Sequence, residues 1–185
     1  GLGQVGLEAT WANESWESAG TSYARNHPST VLFSDPAQTL LQSIQSGADE
    51  LPHEGGVDVI AGGPPCQGFS GWNRHRSFSD PRNSLVEVFL EFIGTLKPRV
   101  VLMENVTGIL SLGEGQAIKS LLKGLDDIGY HTELGILQAG GYGLPQNRWR
   151  VFVIATGAGK KTAAFPSPIT DFPRTTLFNA TKHRS

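Results

Sequence analysis

The chain has one cysteine and one methionine in 185 residues. A single cysteine excludes an intramolecular disulfide framework and fits a reducing compartment. No apolar run approaches the roughly 20 residues needed to cross a bilayer. Neither sign of charge dominates: 15 Lys and Arg stand against 17 Asp and Glu, a net charge of −2. Composition therefore offers no electrostatic argument for nucleic acid, and any such argument has to come from a site. Internal repeats and low-complexity stretches are missing as well. Glycine and proline are plentiful, at 23 and 11 residues, and both crowd around the lone cysteine.

That cysteine lies in Gly62-Gly63-Pro64-Pro65-Cys66-Gln67-Gly68-Phe69-Ser70, directly after the apolar run Val57–Ala61. The glycines free the backbone and the prolines then stiffen it, so regular structure is broken at the thiol. A lone cysteine is most often a small buried hydrophobe. One held in a rigid loop at a strand end reads instead as a nucleophile.

Hydrophobic patterning alternates between strand and helix, which predicts an α/β fold with a mostly parallel sheet and helices on both faces. Candidate strands are Ala9–Asn13, Thr30–Phe33, Val57–Ala61, Val100–Glu104, Thr132–Gln138 and Arg150–Ala155. Candidate helices are Trp16–Asn26, Ala37–Ser46, Ser84–Leu96 and Gln116–Ile128. In the last of these, Ile118, Leu121, Leu122, Leu125 and Ile128 share one face, and Gly129 is the stop. Pro98 terminates the third helix. Leu51–Gly56 and Arg74–Arg82 read as loops, the second long and basic enough to act as a lid. The predicted division is a partial catalytic domain over 1–156, followed over 157–185 by the start of a connection to a further region.

Open α/β sheets bind ligands beyond the carboxyl ends of their strands. Four such ends carry unusual residues: Asn13-Glu14 followed by Trp16, the Pro64-Pro65-Cys66 loop, Met103-Glu104-Asn105-Val106, and Gln146-Asn147-Arg148-Trp149-Arg150. Each has a bland reading, as a helix-start charge, a helix cap or a surface fork. Gly1-Leu2-Gly3-Gln4-Val5-Gly6 is a literal G-x-G-x-x-G. The dinucleotide fingerprint wants a strand before these glycines and an acidic residue about 20 positions on. Glu14 follows too closely, so Gly1–Gly6 is expected to be the tail of a helix.

Together the motifs resemble the DNA (cytosine-5)-methyltransferases, in the family's order and with similar spacing. The likeness rests on Gly62–Ser70, Glu104-Asn105-Val106 and Gln146–Arg150, and continues through Asn83-Ser84-Leu85, Leu137–Gly143 and Phe165-Pro166-Ser167-Pro168. These additional stretches look most like the catalytic domain of eukaryotic maintenance-type enzymes. The resemblance implies a Rossmann-like S-adenosylmethionine-dependent methyltransferase fold, incomplete at both ends, with the first strand and its glycine loop missing and a target-recognition region beyond Ser185.

It also implies roles. Cys66 would add to carbon 6 of cytosine and make carbon 5 nucleophilic. Glu104 would contact N3 and the exocyclic amine, a task for a carboxyl group that can share a proton with the ring. Arg148 would meet the base carbonyl, and Arg150 would hold the catalytic loop or a phosphate. Glu14 would bind the ribose hydroxyls of S-adenosylmethionine, Trp16 would pack on its adenine, and Asp35 would meet the adenine amine, although Pro36 fits that alignment poorly. Pro64 and Leu85 would line the cofactor pocket. The partner would be DNA with a flipped cytosine, with Ser70–Arg82 closing over the base, and the location nuclear; neither a metal nor a membrane is implied. Two alternatives stay open: an RNA cytosine-5 methyltransferase of the same fold, and a non-catalytic module that keeps the fold.

Overall fold

The computed structural model describes residues 2–65, 84–160 and 163–170. Cys66, the expected lid Ser70–Arg82 and all but a short stretch of 157–185 beyond Lys160 lie outside the described residues. The chain separates into two compact units, Gly1–His53 and Glu54–Ser185.

The first unit is a β-α-β-α arrangement. Strand β1 (Trp11–Asn13) runs parallel to β2 (Val31–Phe33), with α1 (Glu17–Asn26) between them in sequence and α2 (Ala37–Gln45) after them. Helix α1 comes close to the strands at Gly20, where an added Cβ would sit 3.5 Å from both Glu14 O and Leu32 Cδ2. Leu40, Leu41 and Ile44 form the buried stripe of α2. The G-x-G-x-x-G motif is the end of a helical turn, Leu2–Val5. Gly6 N–H bonds Gly3 O and Leu7 N–H bonds Leu2 O, both at 3.2 Å, while Gly6 takes φ +82°. This paired closure over a left-handed glycine is a Schellman stop, so the motif ends a helix and does not cradle a phosphate.

The second unit is built on a four-stranded sheet. Its strands are β3 (Val59–Gly62), β4 (Val100–Val106), β5 (Tyr130–Gln138) and β6 (Trp149–Gly157), in the order β3-β4-β6-β5. Strands β3, β4 and β5 point the same way and β6 runs against both its neighbours. Helix α3 (Ser84–Leu96) precedes β4 and α4 (Gln116–Asp127) precedes β5. Alternation along β4 puts Val101 and Met103 on one face with Val151, Val153 and Ala155 of β6. Ile93 of α3 and Ile118, Leu121 and Leu125 of α4 cover them, forming the core. Each such fully buried aliphatic side chain stabilises by about 1.5–3 kcal/mol.

Two glycines permit this closeness. A Cβ on Gly62 would fall 2.6 Å from Phe89 Cε2 of α3, and one on Gly124 would fall 2.7 Å from Leu90 Cδ1. Gly129 stops α4 at φ +87°. The Tyr130 hydroxyl, buried beneath the sheet end, donates to Pro98 O at 2.7 Å.

The six strands and four helices expected from the sequence all form, with ends within two residues of expectation. The expected β4 stops at Glu104, but the strand continues to Val106 because Asn105 and Val106 pair with Val151 and Arg150 of β6. On the sheet face away from α3 and α4, Gly135 lies opposite Phe152. The missing side chain lets the Phe165 ring settle there, at 2.8 Å from where a Cβ would be. Tyr142 Oη donates to Pro166 O at 2.9 Å, Ile169 N–H to Gly141 O at 2.8 Å, and Thr170 Oγ1 to Gly140 O. The Phe-Pro-Ser-Pro segment is thus a clasp over the connection that leads into β6.

Candidate active site

Reversal of β6 brings its first residues to the carboxyl end of β4. Glu104 faces away from the helices, opposite Phe152, and Arg150 faces the same way opposite Val106, so the two side chains meet diagonally across the ladder. Arg150 Nε lies 2.8 Å from Glu104 Oε1, and Arg148 Nη2 approaches the same oxygen at 3.5 Å. Arg150 Nη1 also donates to Trp149 O at 2.8 Å. With its side chain 22% exposed against 47% for Arg148, Arg150 is the fixed brace of the carboxylate and Arg148 the looser arm. A partly exposed ion pair adds on the order of 1 kcal/mol or less to stability, so its contribution is orientation.

The loop that leads to Cys66 passes directly over this carboxylate. At Gly63 an added Cβ would stand 3.6 Å from Glu104 Oε2 and 3.5 Å from Glu104 O. Asn105, the next residue of β4, points to the opposite, buried face. Its Nδ2 donates to Pro64 O at 2.9 Å, and its Oδ1 accepts from Val106 N–H at 2.9 Å. A buried carboxamide therefore fastens the backbone two residues before the thiol to the strand that carries Glu104. Leu85 is half-buried in the first turn of α3. Cys66 itself lies outside the described residues.

Asn105 was legible in principle. In Val100-Val101-Leu102-Met103-Glu104-Asn105-Val106 the period of two sends Asn105 inward with Val101 and Met103, and a buried polar side chain must find partners. Gln138 is another unforeseen organiser. Its Oε1 accepts Gly141 N–H at 2.8 Å, and Ala139 N–H bonds Arg148 O at 2.9 Å, which closes the connection before Arg148.

The residues of the first unit expected to bind a cofactor, Glu14, Trp16 and Asp35, follow the carboxyl ends of β1 and β2. Glu14 Oε1 accepts Trp16 N–H at 2.8 Å, which orients the carboxylate at the start of α1. The Trp16 side chain stands out in solvent, with the residue 70% exposed. Asp35 follows β2 in the turn before α2, where Asn13 Nδ2 holds its carbonyl at 2.8 Å. A carboxylate for a diol, a second acid for an amine and an open indole face together suit an adenosyl group.

The architecture is that of the Rossmann-like S-adenosylmethionine-dependent methyltransferases. A solved structure of an E. coli prophage-encoded protein described as a DNA modification methyltransferase superposes with a TM-score of 0.68 at 28% identity, covering 83% of this chain and 41% of that one. Spodoptera frugiperda DNMT2 gives a TM-score of 0.64 at 23% identity, over 85% and 46% of the two chains, a likeness of fold. The family profile for C-5 cytosine-specific DNA methylases matches residues 1–183. The chain belongs to that family. It is 40% identical over 178 residues to DNA (cytosine-5)-methyltransferase 1 of Gallus gallus, covering 91% of this chain and 12% of that protein. Against DNA (cytosine-5)-methyltransferase 1A of Oryza sativa it is 34% identical over 196 residues, covering 91% and 13%. The chain thus spans about an eighth of the length of these relatives.

Proposed function

We propose that this chain is the cysteine-bearing part of an enzyme that methylates carbon 5 of a flipped-out cytosine in DNA. The observation that carries the reading is the meeting of Glu104, Arg148 and Arg150 beneath the Gly63-Pro64-Pro65 approach to Cys66. A nucleophile, a braced carboxylate and a freer guanidinium at one strand end are what the chemistry requires.

The Cys66 thiolate adds to carbon 6 of cytosine, and the ring's electron pair moves to carbon 5. Glu104 accepts from the exocyclic amine and relays a solvent proton to N3, so that negative charge does not build on the ring as the thiolate adds. Arg150 keeps the carboxylate aimed, and Arg148 meets the carbonyl at C2. S-Adenosylmethionine would be held through Glu14, Trp16 and Asp35 and would supply an electrophilic methyl group; Pro64 and Leu85 are the further cofactor contacts that the family resemblance implies. Carbon 5 would take that methyl group as its bond to the sulfonium breaks and S-adenosylhomocysteine leaves; a solvent base then removes the carbon-5 proton, and the electron pair of that C–H bond expels the Cys66 thiolate and restores the ring. The base must leave the duplex to reach this site, and Ser70–Arg82 is the segment proposed to close over it. A nuclear location accords with the eukaryotic relatives.

The test uses the parent polypeptide and duplex DNA containing 5-fluorocytosine, whose carbon 5 carries no removable proton. The wild-type chain is expected to form a stable covalent adduct and Cys66→Ser none; adduct formation by the serine variant at the wild-type level overturns the assignment. Methyl transfer to transfer RNA but not to duplex DNA would favour the RNA reading, and transfer to neither the non-catalytic one.

A further inference from the structure

We infer that Asn13 is a positioning residue that fixes the two acidic contacts to the adenosyl group relative to each other; this rests on the cofactor reading above. Asn13 closes β1 immediately before Glu14, and its carboxamide reaches across to the chain leaving β2. Nδ2 donates to Phe33 O at 3.0 Å and to Asp35 O at 2.8 Å. The neighbouring backbone adds Glu14 N–H to Phe33 O at 3.0 Å.

The turn carrying Asp35 needs this anchor because of its sequence. Pro36 has no N–H to offer and biases Asp35 toward extended backbone. It is also the residue that caps α2, with no side-chain cap bond. The two N–H bonds of the Asn13 amide tie this turn, at Phe33 O and Asp35 O, to the end of β1. They couple the end of β1, where Glu14 would take the ribose, to the turn from which Asp35 would take the adenine amine. Aspartate has the same shape but no donor, so it would set a carboxylate against two carbonyls.

The test measures binding, by calorimetry on the parent polypeptide, of S-adenosylhomocysteine and of S-inosylhomocysteine, which lacks the amine. Wild type is expected to prefer the adenosyl ligand. Asn13→Ala is expected to weaken that ligand about tenfold, near the net worth of one hydrogen bond, with inosyl binding changed less than about twofold. The isosteric Asn13→Asp is expected to do the same and serves if the alanine variant fails to fold. In Asp35→Ala, adding Asn13→Ala is expected to cost nothing more. Equal losses for both ligands, or additive losses in the double variant, overturn the positioning role. A wild-type chain that binds neither ligand overturns the cofactor reading too, whereas a variant that keeps the wild-type preference sinks Asn13 alone.

Discussion

Replacing Asn105 with alanine is expected to cost the folded state about 2–4 kcal/mol and to slow the neighbouring cysteine as well. The residue is 5% exposed, and its side chain makes two bonds, to Pro64 O and from Val106 N–H, each at 2.9 Å. A neutral hydrogen bond contributes about 1 kcal/mol net, and a carbonyl left orphaned in a part-buried site adds about 1–3 kcal/mol. Against a typical total of about 5–15 kcal/mol, that is a large share. Asn105→Asp retains the acceptor for Val106 but turns an oxygen toward the Pro64 carbonyl and buries charge, so it is expected to cost at least as much. Urea unfolding of the parent polypeptide reads the stability, and the rate of adduct formation on 5-fluorocytosine DNA reads the loop. Val153→Ala is the comparator: Val153 is fully buried on the same sheet face, so its loss destabilises while leaving Pro64 untouched. Adduct formation by the folded fraction is expected to fall about tenfold or more in Asn105→Ala, as for loss of a group that positions a reactant, and to hold in Val153→Ala. An Asn105→Ala chain within about 0.5 kcal/mol of wild type, the usual scatter of surface changes, with unchanged adduct rate would refute the reasoning.

Gly62→Ala sets a methyl 2.6 Å from the Phe89 ring; the overpacking is expected to lower stability by about 1–3 kcal/mol in thermal melts. Tyr130→Phe removes the 2.7 Å bond to Pro98 O and is expected to cost about 1 kcal/mol near neutral pH by denaturant titration. Burial raises the Tyr130 phenol above its ordinary range. The folded state therefore keeps its proton to higher pH than the unfolded chain, and that contribution is full below about pH 10 and lost as pH climbs through the raised folded value. Stability measured across that window is expected to decline more steeply for wild type than for Tyr130→Phe.

Strong periodicity made the fold legible. The Ile118/Leu121/Leu125 stripe and the Val100–Met103 run specify their elements without tertiary help, and Gly129 and Pro98 mark where helices stop. Strand ends were less legible because ladders extend as far as partners exist: β4 gains Asn105 and Val106 only through β6. The reversal of β6 between β4 and β5 has no local signal, since apolar alternation is the same in either direction. At the site, Glu104 and the arginines could be named from motifs, but the grip of Arg150 on Glu104 needed that register. Asn13 stood out only as the neighbour of Glu14, with no role of its own, because an exposed strand-end asparagine looks like any turn residue; its contacts are to carbonyls 20 and 22 positions away.

The reversed strand also sets an order of events during synthesis. Strand β5 is complete at Gln138, yet its sheet partner β6 begins only at Trp149, and β4 likewise waits for β6 along one edge. Within the four-stranded sheet, the β3–β4 pairing can close before β6 is made. Until Gly157 has been made, β4 and β5 each carry a backbone edge that β6 later covers, the kind of exposure that invites pairing with other chains. Translation slowed between β5 and β6 would lengthen that window, and chains stopped before Trp149 would leave the site without its arginine brace and the sheet with two edges to stick.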